Sequence, residues 1–327
     1  SNGLNIRVLN LAYGTDGHQS HSSDPLHYAV ERAWEAGIVV VVSAGNDGEG
    51  SPLRNPATDP FVITVGASDM RGDDDLDDHR VADFSSCGTW DRHVDIVAPG
   101  KSIVSLRVPG SYADVEFENA RVGSDKFKGS GTSQAAAVVS GAAALIIDQR
   151  PGISPDQLKE LIMDEAEELD DGSSRCQGEG SIDLDDVEDE STPHRASQNH
   201  AKSNGRGSVN AVRGSQRVVD NGVAISGEID IFGNDFDTDD WVEDAEDDNT
   251  WEDGDWNGAS WSGASWSGAS WSGASWSGAS WSGASWSGKS WSGASWSGAS
   301  WSGASWSGSS WSGGSWSGSS WSGLSWG

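Results

Sequence analysis

Residues 38–42 read Ile-Val-Val-Val-Val, and this run restricts the fold more than any other segment of the chain. A continuous β-branched run has no polar face, so it suits a parallel strand covered on both sides. The residues before it agree. Asp24-Pro25 marks a helix start, because proline at the first helical position gives up only an amide that would lack a partner. Leu26, Ala29, Val30, Ala33 and Trp34 fall on one helical stripe, and Gly37 stops the helix at the strand. Residues 4–11, with Ile6, Val8 and Leu9 apolar, predict a preceding strand, and residues 61–65 repeat the strand pattern. Strands alternating with a helix in this order predict an α/β domain.

Further along, residues 132–149 are small and apolar almost throughout, which predicts a buried central helix. Ser154-Pro155-Asp156-Gln157 has capping-box spacing and opens an amphipathic helix expected to end near Leu169. Residues 171–202 are polar and read as a domain edge followed by linker. Between Asp220 and Asp255 there are 15 acidic residues and no Lys or Arg, a composition expected to stay solvated. From Trp256 onward the chain repeats Trp-Ser-Gly-Ala-Ser, and tryptophan recurs every fifth residue from Trp251 to Trp326. The expected plan is therefore 1–190 for the α/β domain, 191–255 for an acidic linker and extension, and 256–327 for the repeat tail.

The net charge of −31 is spread over both halves: 13 Lys+Arg face 28 Asp+Glu in residues 1–170, and 7 face 23 beyond. Such an excess repels nucleic acid and anionic membranes, so neither is an expected partner. No apolar run approaches the roughly 20 residues that a membrane span needs. Cys87 and Cys176 are the only cysteines, and one pair does not define a disulfide framework. The chain opens Ser-Asn-Gly rather than with Met. The expectation is a processed piece or fragment, with a signal peptide upstream of residue 1.

Two segments carry chemistry. Ser43-Ala44-Gly45-Asn46-Asp47-Gly48 follows the valine strand, and small residues at the carboxyl end of a parallel strand let a side chain reach a ligand crevice. Asn46 offers an amide donor able to polarise a carbonyl, although Asn-Asp-Gly taken alone is better read as a turn. Gly131-Thr132-Ser133 stands on a glycine-rich turn before an alanine-rich helix. Ser133 there is either a helix cap or a nucleophile whose developing negative charge the helix N-terminus favours.

Taken in order, these segments resemble the subtilisin-like (subtilase) serine peptidases. Residues 8–14, Val-Leu-Asn-Leu-Ala-Tyr-Gly, look like the family's substrate-binding strand, and residues 43–48 like its oxyanion segment. Gly131-Thr132-Ser133 looks like the nucleophile motif; residues 61–67, 83–86, 94–100 and 178–184 look like connecting and closing segments. The resemblance implies part of a three-layer fold with a mainly parallel sheet, followed by a disordered or repeat-rich tail. It implies a serine endopeptidase with Ser133 as nucleophile and Asn46 in the oxyanion hole. Ala12, Tyr13, Gly14, Ser43, Ala44 and Gly45 would then bind substrate. Protein or peptide substrates and a secreted or cell-surface location follow from the same resemblance.

In this family the triad Asp and His precede the substrate strand, which here begins near residue 4. None of His18, His21, His27, His79, His93, His194 and His200 sits in a His-Gly-Thr-His setting. The isolated chain is therefore expected to be inactive, and a pseudoenzyme acting as a surface- or glycan-binding protein is the alternative. No catalytic metal is implied. The acidic stretch 73–78 is a candidate for structural calcium but lacks the ligand spacing of a known loop, and a solvated acidic loop is the preferred reading. For the tail, a flexible Gly/Ser tract carrying aromatic groups for cell-wall or glycan contact is preferred over a repeat solenoid. Residues 205–232 with the Trp repeats resemble the extension of actinobacterial secreted subtilases.

Overall fold

The computed structural model describes residues 5–72, 76–170, 173–216, 219–220, 223–224, 226–229 and 235–246. The chain divides into two compact units, Ser1–Gln216 and Arg217–Gly327.

The first unit opens with β1 (Val8–Leu11), α1 (Pro25–Glu35), β2 (Val39–Ser43) and β3 (Ile63–Asp69). The local signals act as expected: the Asp24 carboxylate accepts from the Leu26 and His27 amides at 2.8 and 3.2 Å, and Gly37 ends the helix at φ 86°. β4 (Arg80–Val81) and β5 (Ile96–Pro99) complete the sheet. Strands β1, β2, β3 and β5 are parallel neighbours in that order, and β4 runs antiparallel to the end of β3. Val39 to Val42 are at most 1% exposed. Neighbouring strand residues face opposite ways, so both faces of β2 are covered, as the β-branched run predicts. Each such side chain contributes roughly 1.5–3 kcal/mol of burial, so β2 is the central beam of the domain.

A small antiparallel sheet of β6 (Ile103–Leu106), β7 (Arg121–Val122) and β8 (Lys126–Gly129) follows, with α2 (Tyr112–Glu116) inserted. The buried Asp114 carboxylate ties this excursion together through Arg107 at 2.5 Å and Arg121 at 2.8 Å, and those hydrogen bonds hold its pKa well below the usual range.

α3 (Thr132–Gln149) packs across β1, β2, β3 and β5. Its composition predicts burial on every side, but the described residues cover one face only. Ala135, Ala136, Val139, Ala142, Ala143 and Ile146 are buried, whereas Leu145 is 65% exposed and Val138 37%. α4 (Pro155–Asp164) carries the full capping box between Ser154 and Gln157. It stops at Asp164 rather than near Leu169, because Glu167 leaves the helix to pair with Ser181. Lys159 of α4 buries its amine against the Pro60 and Val62 carbonyls at 2.7 and 2.9 Å, and burial lowers its pKa to about 8.

Helices α5 (Ser174–Gln177), α6 (Leu184–Asp189) and α7 (Val209–Arg213) end this unit. Cys176 of α5 is disulfide-bonded to Cys87, 89 residues earlier. Residues after 190 stay on the unit: the Ser203 amide donates to Glu31, and Thr15 Oγ1 donates to the Val212 carbonyl.

In the second unit, β9 (Val219–Asp220) pairs antiparallel with β10 (Val223–Ala224), and α8 (Thr238–Glu246) follows. The acidic run is thus partly ordered, since Asp237 accepts from the Asp239 amide at 2.8 Å and acidic residues favour a helix N-terminus. The repeat tail 256–327 lies outside the described residues, as do Asp73, Asp74 and Asp75 of the calcium candidate. Among the described residues no helix is long and apolar enough to cross a membrane.

Candidate active site

Two loops meet where the carboxyl end of β2 faces the N-terminus of α3. The first is residues 43–48. Ser43 is paired with Val65 in the sheet, and Ala44 donates to the Val65 carbonyl while accepting from the Arg54 amide. Gly45 then turns at φ 119°, where a β-carbon would stand 2.9 Å from Arg54 Cγ and 3.0 Å from Ser86 Oγ. Its carbonyl accepts from the Ser86 amide, and Ser86 Oγ accepts from the Asp47 amide at 3.1 Å. The chain emerges at Asn46, which is exposed.

The second loop is residues 129–133. Gly131 donates to the Gly100 carbonyl at 2.8 Å, and a β-carbon on Gly100 would meet Ala67 Cβ at 2.6 Å and the Gly131 oxygen at 2.9 Å. This close approach brings the start of α3 onto the end of β5. Thr132, fully buried, joins the two loops. Its hydroxyl accepts from the Gly45 amide at 3.2 Å and donates to Asn46 Oδ1 at 3.1 Å, while its own amide donates to the same oxygen at 2.8 Å.

That arrangement settles which way the Asn46 amide points. Oδ1 faces two donors, so Nδ2 is left with two N–H groups and an exposed position. Ser133 is the second residue of α3, and the first amides of a helix have no intrahelical acceptor. A donor side chain, a free helix amide and a serine hydroxyl therefore share one corner. Such donors stabilise the oxyanion that forms when a hydroxyl attacks a carbonyl.

Ser133 is half-buried, and its hydroxyl donates to the Ala12 carbonyl at 3.1 Å. Among the described residues its hydrogen-bond partner is this carbonyl and not a histidine. β1 thus runs directly past the serine, with Ala12 and Tyr13 exposed and Gly14 half-buried. A β-carbon on Gly14 would meet Arg54 Cβ at 2.5 Å, and Arg54 in turn is paired with Asp47 at 2.6 Å.

A model of the subtilase family matches residues 3–180. The chain belongs to the subtilase family. It is 42% identical over 183 residues to the serine protease AprX of Bacillus subtilis, covering 54% of this chain and 41% of that protein. To subtilisin DY of Bacillus licheniformis it is 32% identical over 187 residues, covering 56% and 57%. Fervidolysin from Fervidobacterium pennivorans, a keratinolytic enzyme related to subtilisin, is a solved structure with 32% identity and a TM-score of 0.46. The match covers 58% of this chain and 27% of fervidolysin. The chain thus spans less than two-thirds of these relatives.

As a subtilase segment, the corner separates the residues singled out from sequence into two groups. Ser133 and Ala12 are in hydrogen-bond contact, Asn46 is held beside them through Thr132, and Tyr13 and Gly14 follow Ala12 in the chain, with Tyr13 exposed and Gly14 half-buried. Ser43, Ala44 and Gly45 are buried, with their backbone groups engaged in the sheet and with Ser86 and Thr132. Sequence reasoning gave no role to Ser86, which braces residues 45 and 47, to Gly100, which seats Gly131, or to Thr132, which joins the two loops. The signal for Thr132 was present in its place beside Ser133, from which its hydroxyl and amide reach Gly45 and Asn46 of the first loop.

Proposed function

We propose that this chain carries the nucleophile and oxyanion donors of a secreted subtilisin-like serine endopeptidase. The observation that carries the reading is the orientation of Asn46, whose Oδ1 is taken by Thr132 so that Nδ2 faces outward beside the helix N-terminus bearing Ser133. Ser133 attacks the peptide carbonyl, Asn46 Nδ2 and the Ser133 amide hold the oxyanion, and Ala12, Tyr13 and Gly14 align the substrate backbone along β1. Ser43, Ala44 and Gly45 contribute by aiming Asn46.

The base and the Asp that orients it come from residues preceding β1, as the family order implies. Two features support this. β1 is the last strand of its sheet among the described residues, and the exposed apolar face of α3 suits a further layer. The isolated chain is then inactive. Secretion is proposed from the family resemblance, and glycan or cell-wall contact through the Trp repeats from their composition.

Fluorophosphonate labelling tests the reading. The chain extended through its upstream residues should label, and its Ser133→Ala variant should not; equal labelling removes Ser133 as nucleophile. The extension must also contain Asp-Ser/Thr-Gly and His-Gly-Thr-His motifs, and their absence favours the surface-binding pseudoenzyme instead.

A further inference from the structure

Four titratable side chains meet at the head of α1: His21, His27, Glu31 and Asp59. The last three are 3%, 4% and 0% exposed. His21 Nδ1 stands 2.9 Å from His27 Nδ1 and 4.0 Å from Asp59 Oδ2. One ligand-capable atom from each of His21, His27 and Asp59 lies within 4.8 Å of the others. Glu31 Oε1 is 3.5 Å from His21 Nε2.

The surroundings define what each atom can do. His21 Nε2 is 2.7 Å from the Ala201 carbonyl oxygen, which only accepts, so this nitrogen holds the proton and Nδ1 of the neutral ring presents a lone pair. His27 Nδ1 then donates to that lone pair at 2.9 Å while its Nε2 accepts from the Thr58 hydroxyl at 2.8 Å; an ion between the rings replaces the Nδ1 proton, and Nε2–H then donates to Thr58 Oγ1. Asp59 Oδ1 accepts from the Phe61 amide at 2.8 Å, yet with Glu31 ionised no donor reaches its buried Oδ2. Both Glu31 oxygens face the Ser203 amide at 3.0 Å. Burial, reinforced by Asp59, still pushes the Glu31 pKa up to about 8. Two buried carboxylates, with Asp59 Oδ2 lacking a donor among the described residues, leave the cluster short of positive charge. A proton shared between Glu31 and Asp59 supplies it in one way, and a cation in another.

We propose that His21, His27 and Asp59 bind a divalent transition metal of the zinc class. Two imidazole nitrogens and one carboxylate oxygen suit such an ion, whereas calcium and magnesium take oxygen ligands. With metal–ligand bonds of ~2.0–2.1 Å, neighbouring donors of a tetrahedral centre stand ~3.3–3.4 Å apart. The separations of 2.9 and 4.0 Å bracket that value, so small side-chain shifts close the site. Each ligand already has an orienting partner behind it, in the Ala201 carbonyl, the Thr58 hydroxyl and the Phe61 amide. His21, with its side chain 28% exposed, leaves a way in for the ion. The site shares no residue with the Ser133 corner, so its role is to tie α1 to the segments at residues 21 and 59.

The test uses the full 327-residue chain, stripped with a chelator, dialysed and titrated with zinc chloride, with bound metal counted by mass spectrometry. Wild type should take up one tight equivalent, gain thermal stability with zinc, and give the intense visible bands of nitrogen-ligated tetrahedral cobalt(II). His21→Ala should weaken the tight equivalent more than ~100-fold, and Thr58→Val, which touches only the ring behind the ligand atom, by about 10–100-fold. Any divalent ions held by the acidic run are common to wild type and variants, so the difference between them is the quantity read. Equal zinc uptake by wild type and His21→Ala overturns the proposal and leaves the shared proton in its place. Should His21→Ala fail to fold, the cobalt spectrum of wild type decides alone: without the nitrogen-ligated bands there is no such site.

Discussion

The Ser133 corner and the cluster at the head of α1 draw on similar polar side chains and leave them in opposite conditions. At the corner, the buried Thr132 hydroxyl both accepts and donates, and the groups with unused capacity, Asn46 Nδ2 and the Ser133 amide, lie at an accessible edge. At the head of α1, the unused capacity is inside, on Asp59 Oδ2, and the His21 lone pair is met by the neighbouring His27 ring. Water satisfies an exposed donor until a substrate replaces it, at little cost to the fold. A buried acceptor has no such reserve and must be filled by a proton or an ion. The first condition suits turnover and the second suits permanent binding.

Four substitutions sharpen that contrast, and the largest effect is expected at the nucleophile. In the chain joined to its upstream residues, Ser133→Ala should abolish peptide hydrolysis and fluorophosphonate labelling while leaving the thermal transition in place. Asn46→Ala should lower kcat by about 10²–10³ with KM little changed, a magnitude carried over from side-chain oxyanion donors of this family. A loss appearing in KM alone would make Asn46 a turn residue. Thr132→Val removes both hydroxyl bonds in a fully buried place and should cost about 1–3 kcal/mol in chemical denaturation. Its effect on kcat should be smaller than that of Asn46→Ala, because the residue 132 amide still holds Asn46 Oδ1.

The smallest effect concerns the second site, through pH. Glu31 titrates near its ordinary 4.5 when unfolded and at about 8 when folded, so the folded chain holds the extra proton between those values. Its contribution to stability is present below about 4.5 and is lost as pH rises through about 8. Glu31→Gln in metal-free protein should flatten the fall in melting temperature across that window. An unchanged slope would mean that Glu31 is ionised in the folded chain.

Much of the scaffold was legible because its signals are local. Asp24-Pro25, Gly37 and the Ser154–Gln157 box act within a few residues, and the helix start, helix stop and cap are found where they predict. The misjudged features depend on distant partners. α4 ends early because Glu167 pairs with Ser181, and α3 is open on one side because burial depends on what packs there, not on composition. The candidate nucleophile and oxyanion donor were pointed to by motif order, whereas Thr132 stood in the motif without a role of its own. From sequence, His21 has a place in a polar loop and His27 no role beyond the helix that contains it, since nothing nearby in the chain announces Asp59 or the Ala201 carbonyl.

Periodicity and end signals in the chain itself were enough to specify strands, helices and a largely parallel sheet, because short-range polarity and backbone limits decide those. The order of motifs was enough to point to Ser133 and Asn46. Folding in three dimensions alone could assign the direction of the Asn46 amide, the union of Cys87 with Cys176, and the meeting of His21, His27 and Asp59. Each of these depends on groups tens of residues apart arriving within a few ångströms, and no local pattern encodes that approach.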